Sequence, residues 1–288
     1  MASRLSPPGR LPSVQAGSAR ATLLNAFGEF TLDAAAQPPT TGALLRTLGE
    51  VGIGHHAARQ AVTRCAQGGW ISGLRQGRQS RWAVTGAGRE LLSDGIESVE
   101  ALGVDGRADA VGRPAEWDGR WLVLVGSVPQ DRRAVRERFY RALRWNGFGS
   151  PMPGLWLSAR RGRRSRIAES VRRCGLEESV TAFVGGCAEI GLSEEALVEQ
   201  AWDLDEIDAR YAQLVDRHSA VSAATAADCL IALLHLDQEL QFAPSWDPQL
   251  PTELAPGRRA RADAARLLNL RATWLPQARD RWQSLQTS

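Results

Sequence analysis

Lysine is missing from this 288-residue chain: every one of its 35 basic residues is arginine. So uniform a preference follows genomic base composition rather than 35 separate demands for guanidinium chemistry, and the total alone carries little functional weight. Cysteine is scarce and irregularly placed, at Cys65, Cys174, Cys187 and Cys229, with no C-x-x-C. That gives no sign of a disulfide framework and makes reduced cytoplasmic thiols the expectation. His55, His56, His218 and His235 lack H-E-x-x-H or Cys/His ligand spacing, so no metal is expected. No apolar run long enough to span a bilayer occurs, and the first twenty residues have no apolar stretch of the secretory kind, which predicts a cytoplasmic protein with no membrane partner. The most informative absence is local: residues 53–85 contain no Asp or Glu, yet hold five arginines.

Hydrophobic residues make up 43% of the chain, enough for two or three packed domains. The net charge of +3 conceals a segregation. Residues 1–112 carry 11 Arg against 9 acids, residues 113–190 carry 15 against 8, and residues 191–288 carry 9 against 15. The acidic final third is therefore not expected to face a polyanion.

Residues 1–17, with Pro7, Pro8, Gly9 and Pro12 and no periodic apolar positions, read as a flexible arm. Ser18 can cap a helix carrying Leu23, Leu24, Phe27 and Phe30, and Thr40 or Thr41 a second helix burying Leu44, Leu45 and Leu48. Gly49 and Gly52 mark a tight turn, and a third helix is predicted over 54–66, stopped by Gly68 and Gly69. Trp70-Ile71 and Trp82-Ala83-Val84 flank a polar Gly turn as a hairpin, and a short helix follows over 85–92. This order is that of a winged helix-turn-helix over 18–92. Scattered Gly and acids over 93–116 read as a linker.

From residue 117 the pattern changes. Trp121-Leu122-Val123-Leu124-Val125 suits a buried strand. Asp131 is placed to cap a helix running to Trp145, striped by Val135, Phe139, Ala142 and Leu143 and otherwise rich in arginine. Leu155-Trp156-Leu157, a helix around Ile167 and Val171, and residues 180–184 follow; a short strand near Phe148 completes β-α-β-β-α-β, a ferredoxin-like domain over 117–190. Residues 191–288 read as a helical C-terminal domain with Leu204, Ile207, Tyr211, Leu214 and Val215 on one helix face, then Leu230, Ile231, Leu233 and Leu234, and a last helix over 258–282. The fold class expected is α+β.

On the third predicted helix, Ala58, Ala61, Val62 and Cys65 share one face at spacings of three and four, which turns His56, Arg59, Gln60 and Thr63 outward. Arg can bond a guanine edge twice, Gln an adenine edge twice, and Thr can meet a phosphate or a thymine methyl. Arg64, at the margin of that face, is assigned to the sugar-phosphate backbone. Arg75, Arg78 and Arg81 surround the hairpin turn and suit phosphates or a minor groove. Trp70 and Trp82 read as core pegs beneath the hairpin.

Ala58-Arg59-Gln60-Ala61-Val62-Thr63-Arg64 leading to Gly69-Trp70-Ile71, then Gly77-Arg78-Gln79-Ser80-Arg81-Trp82 and Val84-Thr85-Gly86-Ala87-Gly88, resemble the PaaX family of bacterial repressors. Trp117-Asp118-Gly119-Arg120-Trp121-Leu122-Val123, Gly147-Phe148-Gly149 and Gly154-Leu155-Trp156-Leu157 resemble that family's middle domain, itself similar to small ferredoxin-like CRISPR-associated endoribonucleases. Leu234-His235 and Asp247-Pro248-Gln249-Leu250-Pro251-Thr252-Glu253-Leu254 resemble its C-terminal signature. After that His the family usually carries a Glu and paired Arg, where this chain has Leu236, Asp237, Gln238 and Glu239. The resemblance implies a homodimeric regulator of aromatic catabolism, a repressor binding double-stranded operator DNA and released by a small-molecule effector, a coenzyme A thioester.

Two other readings are distinguishable. A metal-dependent nucleic-acid hydrolase of the ferredoxin-like type would want an Asp at the end of the first strand, but Val125 is followed by Gly126 and Ser127. A coenzyme A thioester sensor without DNA contact would draw on Arg160-Arg161-Gly162-Arg163-Arg164-Ser165-Arg166 to clamp phosphates. Phe139, Tyr140, Trp145, Trp156 and Trp246 are candidates for an aromatic pocket or for core. No G-x-S-x-G, Walker loop or G-x-G-x-x-G followed by an acid is present. A non-enzymatic regulator with no catalytic residue, no metal and no cofactor beyond a possible thioester effector is the expectation.

Overall fold

The computed structural model describes residues 18–33, 36–76, 79–103, 117–188 and 190–287. The expected arm over 1–17, Arg78 at the hairpin tip and most of the expected linker lie outside the described residues. In chain order the elements are α1 (Ala19–Thr31), α2 (Thr41–Glu50), α3 (His55–Gln67), β1 (Ile71–Gln76), β2 (Gln79–Val84), α4 (Gly86–Glu100), β3 (Trp121–Gly126), α5 (Arg133–Trp145), β4 (Gly149–Met152), β5 (Leu155–Ser158), α6 (Arg164–Cys174), β6 (Val180–Gly185), α7 (Glu194–Ala201), α8 (Leu204–Ser219), α9 (Ala226–Leu240) and α10 (Ala260–Thr287). Helix and sheet are mixed, as the α+β class requires.

The chain forms two compact units: Met1–Ser98 with His218–Gln241 and Asn269–Ser288, and Val99–Arg217 with Phe242–Leu268. The C-terminal helices, expected as one domain over 191–288, are thus shared between the two.

In the first unit, Ser18 caps α1, its hydroxyl accepting from Ala21 N at 3.2 Å, and Thr40 caps α2 by accepting from Ala43 N at 3.1 Å. Leu23, Leu24, Phe27, Phe30, Leu44 and Leu48 are buried, while Leu45 is only half-buried. The helix expected to end at residue 92 continues to Glu100, because Leu92, Ile96 and Val99 prolong a helical stripe of which Leu92 and Val99 are buried. At Gly88 the first turn of α4 touches the hairpin base: a Cβ there would stand 2.0 Å from the Trp70 carbonyl oxygen.

α9 is the axis of this unit. Cys229, Leu230, Ala232, Leu233, Leu234, Leu236 and Leu240 are all buried, so its apolar character runs round the helix rather than along one stripe, the mark of a core helix. Its N-terminus carries a reciprocal capping box between Thr225 and Asp228. Gln238 on α9 donates to the Thr22 hydroxyl on α1. Arg271 of α10 donates from Nε to Asp237 at 2.8 Å and from one terminal nitrogen to Glu29 on α1, with all three side chains largely buried. Burial and the neighbouring Glu29 raise the Asp237 carboxyl well above the usual range, and its second oxygen has no hydrogen-bond partner. Phe30 stacks on Trp282 at 5.0 Å, and Arg281 chelates the Glu50 carboxylate at the end of α2. His218 is buried beside Glu239, with 2.7 Å between ring nitrogen and carboxylate. Among the described residues no group of three or more His, Cys, Asp or Glu could hold a metal ion.

The second unit is built on a four-stranded antiparallel sheet in the order β4-β5-β3-β6. With α5 and α6 it runs β-α-β-β-α-β. Leu122, Leu124 and Trp156 point toward α5 and α6, joining Phe139, Leu143, Phe148, Ile167 and Leu176 in one core. Trp121, Val123 and Leu157 point the other way, to Val198, Leu250 and Leu254. A strand covered on both faces needs an unbroken apolar run, which explains Trp121 to Leu124. Val125 breaks the expectation at 40% exposed, and Phe183 on the edge strand β6 is 53% exposed. Gly149 permits the back layer to close: a Cβ there would meet the Trp202 ring at 2.4 Å. Asp131 does not cap α5 as expected. It lies exposed in a 3-10 turn (Gln130–Arg132), and Arg132 precedes the helix without a side-chain cap bond.

Removing the shared guanidinium strands two buried carboxylates, so Arg271→Met is expected to destabilise the protein by about 3–5 kcal/mol in denaturant titration. Because the folded Asp237 pKa is raised, the folded state holds a proton that the unfolded state releases, so stability falls as pH rises from the ordinary carboxylate range through the folded pKa. Asp237→Asn flattens that slope, and an unchanged pH profile in the variant would refute the assignment. Gly88→Ala should cost about 1–3 kcal/mol by overpacking, whereas Gly95→Ala, with open space around its Cβ, should raise the melting midpoint.

Candidate nucleic-acid interface

α2 and α3 are joined by a turn in which Gly52 adopts φ +78, Gly52 N bonds Gly49 O at 3.0 Å and Ile53 N bonds Leu48 O at 2.9 Å. The left-handed residue closes the turn without a Cβ penalty. α3 starts at Gly54, which has no side chain to cap the helix, so the first-turn N–H groups receive no side-chain cap. Ala58, Ala61, Val62 and Cys65 seal one face completely, at 0 to 3% exposed. Burial pushes the Cys65 thiol up to about 12, so it is an inert core group. Arg20 of α1 lies beside it, 4.1 Å from the Trp70 ring centroid, and burial lowers its pKa.

His56, Arg59, Gln60, Thr63 and Arg64 are all exposed on the opposite side of α3. The Thr63 hydroxyl donates to its own helix, at the Arg59 carbonyl 3.1 Å away, which leaves its methyl and its oxygen lone pairs outward. A thymine methyl therefore suits it better than a phosphate oxygen.

β1 and β2 pair in register from Ile71 with Val84 to Gln76 with Gln79. Their base is fastened to the start of α2: Trp82 N bonds Pro39 O at 2.9 Å, and the Trp82 indole donates to the Thr41 hydroxyl at 2.9 Å. The Thr85 hydroxyl donates to Gly69 O at 2.6 Å. The two tryptophans are half-buried pegs. Arg75 is exposed on β1, whereas Arg81 is half-buried and donates to the Pro38 carbonyl at 2.8 Å. Of the hairpin arginines selected from sequence, Arg75 is free to meet a ligand, Arg81 is occupied in holding the hairpin to the α2 entry, and Arg78 is outside the described residues. Sequence reasoning also passed over Arg20, whose only signal was an apolar helix carrying one arginine opposite Trp70.

In the second unit the five candidate pocket aromatics do not line one pocket. Phe139, Tyr140 and Trp156 meet in the core, Tyr140 packing on Trp156 at 4.8 Å, while Trp145 meets Phe242 edge-on and Trp246 meets Tyr211 at 4.8 Å. A cavity of about 110 Å³, bordered by Ile207, Asp208, Asp247, Leu250, Arg258 and Arg261, is well below the ~300 Å³ at which small-molecule sites begin. Asp247 there accepts from the Tyr211 phenol at 2.7 Å, and burial raises its carboxyl. Within the basic run, burial and Arg163 push Arg160 down to about 10, and Arg161 is paired with Asp118.

Three family models match in succession: the PaaX-like protein model over residues 18–88, the PaaX protein central Cas2-like domain over 114–197, and the PaaX-like protein C-terminal domain over 202–284. The transcriptional repressor PaaX of Escherichia coli (strain K12) is 28% identical over 240 residues, 78% of this chain and 71% of the relative. Among solved structures, uncharacterized protein Rv0674 from Mycobacterium tuberculosis superposes with a TM-score of 0.59 at 20% identity, over 92% of this chain and 99% of that one, which is a likeness of fold. With helix, turn, helix and hairpin, the antiparallel sheet and the C-terminal helices each falling under a successive model, the chain belongs to the PaaX family.

Proposed function

We propose that this protein is a transcriptional regulator, not an enzyme, and that it acts as a dimeric repressor whose winged helix-turn-helix over 18–92 binds double-stranded operator DNA. The observation that carries the reading is α3. Its inner face is sealed by four small or apolar side chains, and every polar side chain of its outer face, His56, Arg59, Gln60, Thr63 and Arg64, stands in solvent. With no acid between residues 53 and 85, nothing there repels a phosphate. Arg59 and Gln60 take base edges, Arg64 takes backbone, and the hairpin offers Arg75 to phosphates or a minor groove. Arg81 serves this arrangement indirectly, by fixing the hairpin.

The repressor relative supports regulation by DNA binding. The strand order β4-β5-β3-β6 supports a ferredoxin-like middle domain. Family membership supports a homodimer reading two half-sites about one helical turn or a multiple apart, with an aryl- or acyl-coenzyme A thioester favouring the state unable to span them. Where β3 ends, Val125, Gly126 and Ser127 offer no carboxylate, which disfavours the metal-dependent hydrolase.

Arg59→Ala is expected to reduce binding to the protein's own promoter by about 1–3 kcal/mol while leaving random duplex nearly unaffected, read by gel shift at fixed salt. An equal loss on both would reduce Arg59 to a phosphate contact. Arg81→Ala should instead lower the melting midpoint, in proportion to the hairpin anchor it removes. A footprint covering one asymmetric half-site would remove the dimeric operator.

A further inference from the structure

The arginines of the second unit are not spread evenly. α5 and α6 hold nine arginines against two acids, Glu137 and Glu169. The absence of lysine has a genomic explanation, but the scarcity of acids here does not: α7 and α8 in the same chain carry seven acids against Arg210 and Arg217. Some of the nine have structural work. Arg138 donates to the Arg173 carbonyl at 3.4 Å and Arg173 pairs with Glu169 at 3.4 Å, while Arg132, outside the nine, closes the end of α6 by donating to Cys174 O at 2.9 Å. Others do not. Helical periodicity with Phe139 and Leu143 inward places Arg133, Arg141 and Arg144 together on the outer face of α5, and all three are exposed, Arg133 at 80%. Arg164 and Arg172 of α6 are exposed as well.

This distribution is unfavourable for the isolated helices. Like charges three apart, such as Arg141 and Arg144, repel. Neither α5 nor α6 has an acid in its first turn, where the helix dipole favours one, and both begin with an arginine. On the outer face of α5 Glu137 is the one interspersed acid, paired with Arg133, and a polyanion would relieve the charge that remains. Arg133 to Arg144 covers about 16 Å of helix axis, the rise of about five phosphates along one strand of a duplex.

We propose that the outer face of α5 and α6 is a second nucleic-acid surface, which grips the phosphate backbone of duplex DNA through Arg133, Arg141 and Arg144 without reading sequence. The proposal rests on the reading of the protein as a DNA-binding regulator and adds to it a surface outside α3 and the hairpin. Its task is affinity and salt sensitivity, while α3 supplies base discrimination.

The test uses the full chain with its own promoter fragment and a random duplex of equal length, titrated between 50 and 200 mM salt. Combining Arg133→Ala, Arg141→Ala and Arg144→Ala should flatten the slope of log affinity against log salt by about 2 to 3 on both duplexes, so that about 40-fold of the wild-type salt sensitivity disappears. The ratio of specific to random binding should stay unchanged. Unchanged slopes on both duplexes would overturn the proposal. Glu137→Gln, which frees Arg133 from its ion pair and removes no arginine, should tighten both complexes; inertness in that variant overturns the proposal even if the triple variant does not fold. Arg59→Ala separates this surface from α3. A flattened slope in the triple variant with an intact ratio in Arg59→Ala keeps the second surface and sinks the α3 reading. A lost ratio with an inert triple variant does the reverse, and failure of the wild type to retain either duplex at 50 mM salt sinks both.

Discussion

The first unit is organised by the packing of its N-terminal helices against α9 and the last turns of α10, and the Arg271 bridge between Glu29 and Asp237 is where that constraint is most exacting. Two buried carboxyl groups share one guanidinium, and the site answers by holding the Asp237 proton more tightly, so the geometry of all three must be kept for the cost to remain bearable. α1 is thereby held to α9. α1 in turn packs on α2 and α3, and Arg20 on α1 presses against Cys65 and Trp70, so the orientation of the exposed α3 face is set from within this core. The family position occupied here by Asp237 is structural in this chain: its side chain is committed to Arg271.

The second unit solves a different problem. Across β3 and β5 its sheet is covered on both faces, by α5 and α6 on one side and by α7 with the Pro-rich segment around Leu250 and Leu254 on the other, while the edge strand β6 stays largely exposed. Trp121 shows how the second covering is held: its indole donates to Glu194 at 2.8 Å at the start of α7, and its ring stacks on Trp202 at 6.0 Å. With both sheet faces occupied, the outer surface of α5 and α6 is left to solvent, and its charge is set by the arginines that the core does not need.

The elements of the first 92 residues were legible because each is marked by local chemistry. Ser18 and Thr40 are caps, Gly52 is the turn, and the three- and four-residue spacing of Ala58, Ala61, Val62 and Cys65 identifies which side of α3 faces inward. Each of those features acts within one helical turn of itself. The β-α-β-β-α-β order was legible for the same reason, down to the short strand after Phe148. Local rules failed where a distant partner decided. Asp131 has the chemistry of a cap, but the chain enters α5 through a 3-10 turn and the cap is not made. Arg81 looks like a groove arginine, but the Pro38 carbonyl, 43 positions away, takes it. In α9 the apolar residues run right round the helix, which already signals burial.

Sequence by itself determined the secondary elements, the outward set on α3 and the concentration of positive charge between residues 113 and 190, since helix periodicity, capping and charge composition act over a few neighbouring residues. Only the tertiary structure decided that residues from the last quarter of the chain complete the unit built on its beginning, which hairpin arginine is occupied, and that the candidate aromatics are taken up in packing. Those outcomes depend on which surfaces meet after the chain has closed loops of up to about 250 residues. No local pattern encodes such a meeting, because the free energy of burying Arg271 or docking Trp282 exists only once Glu29, Asp237 and Phe30 are already in place.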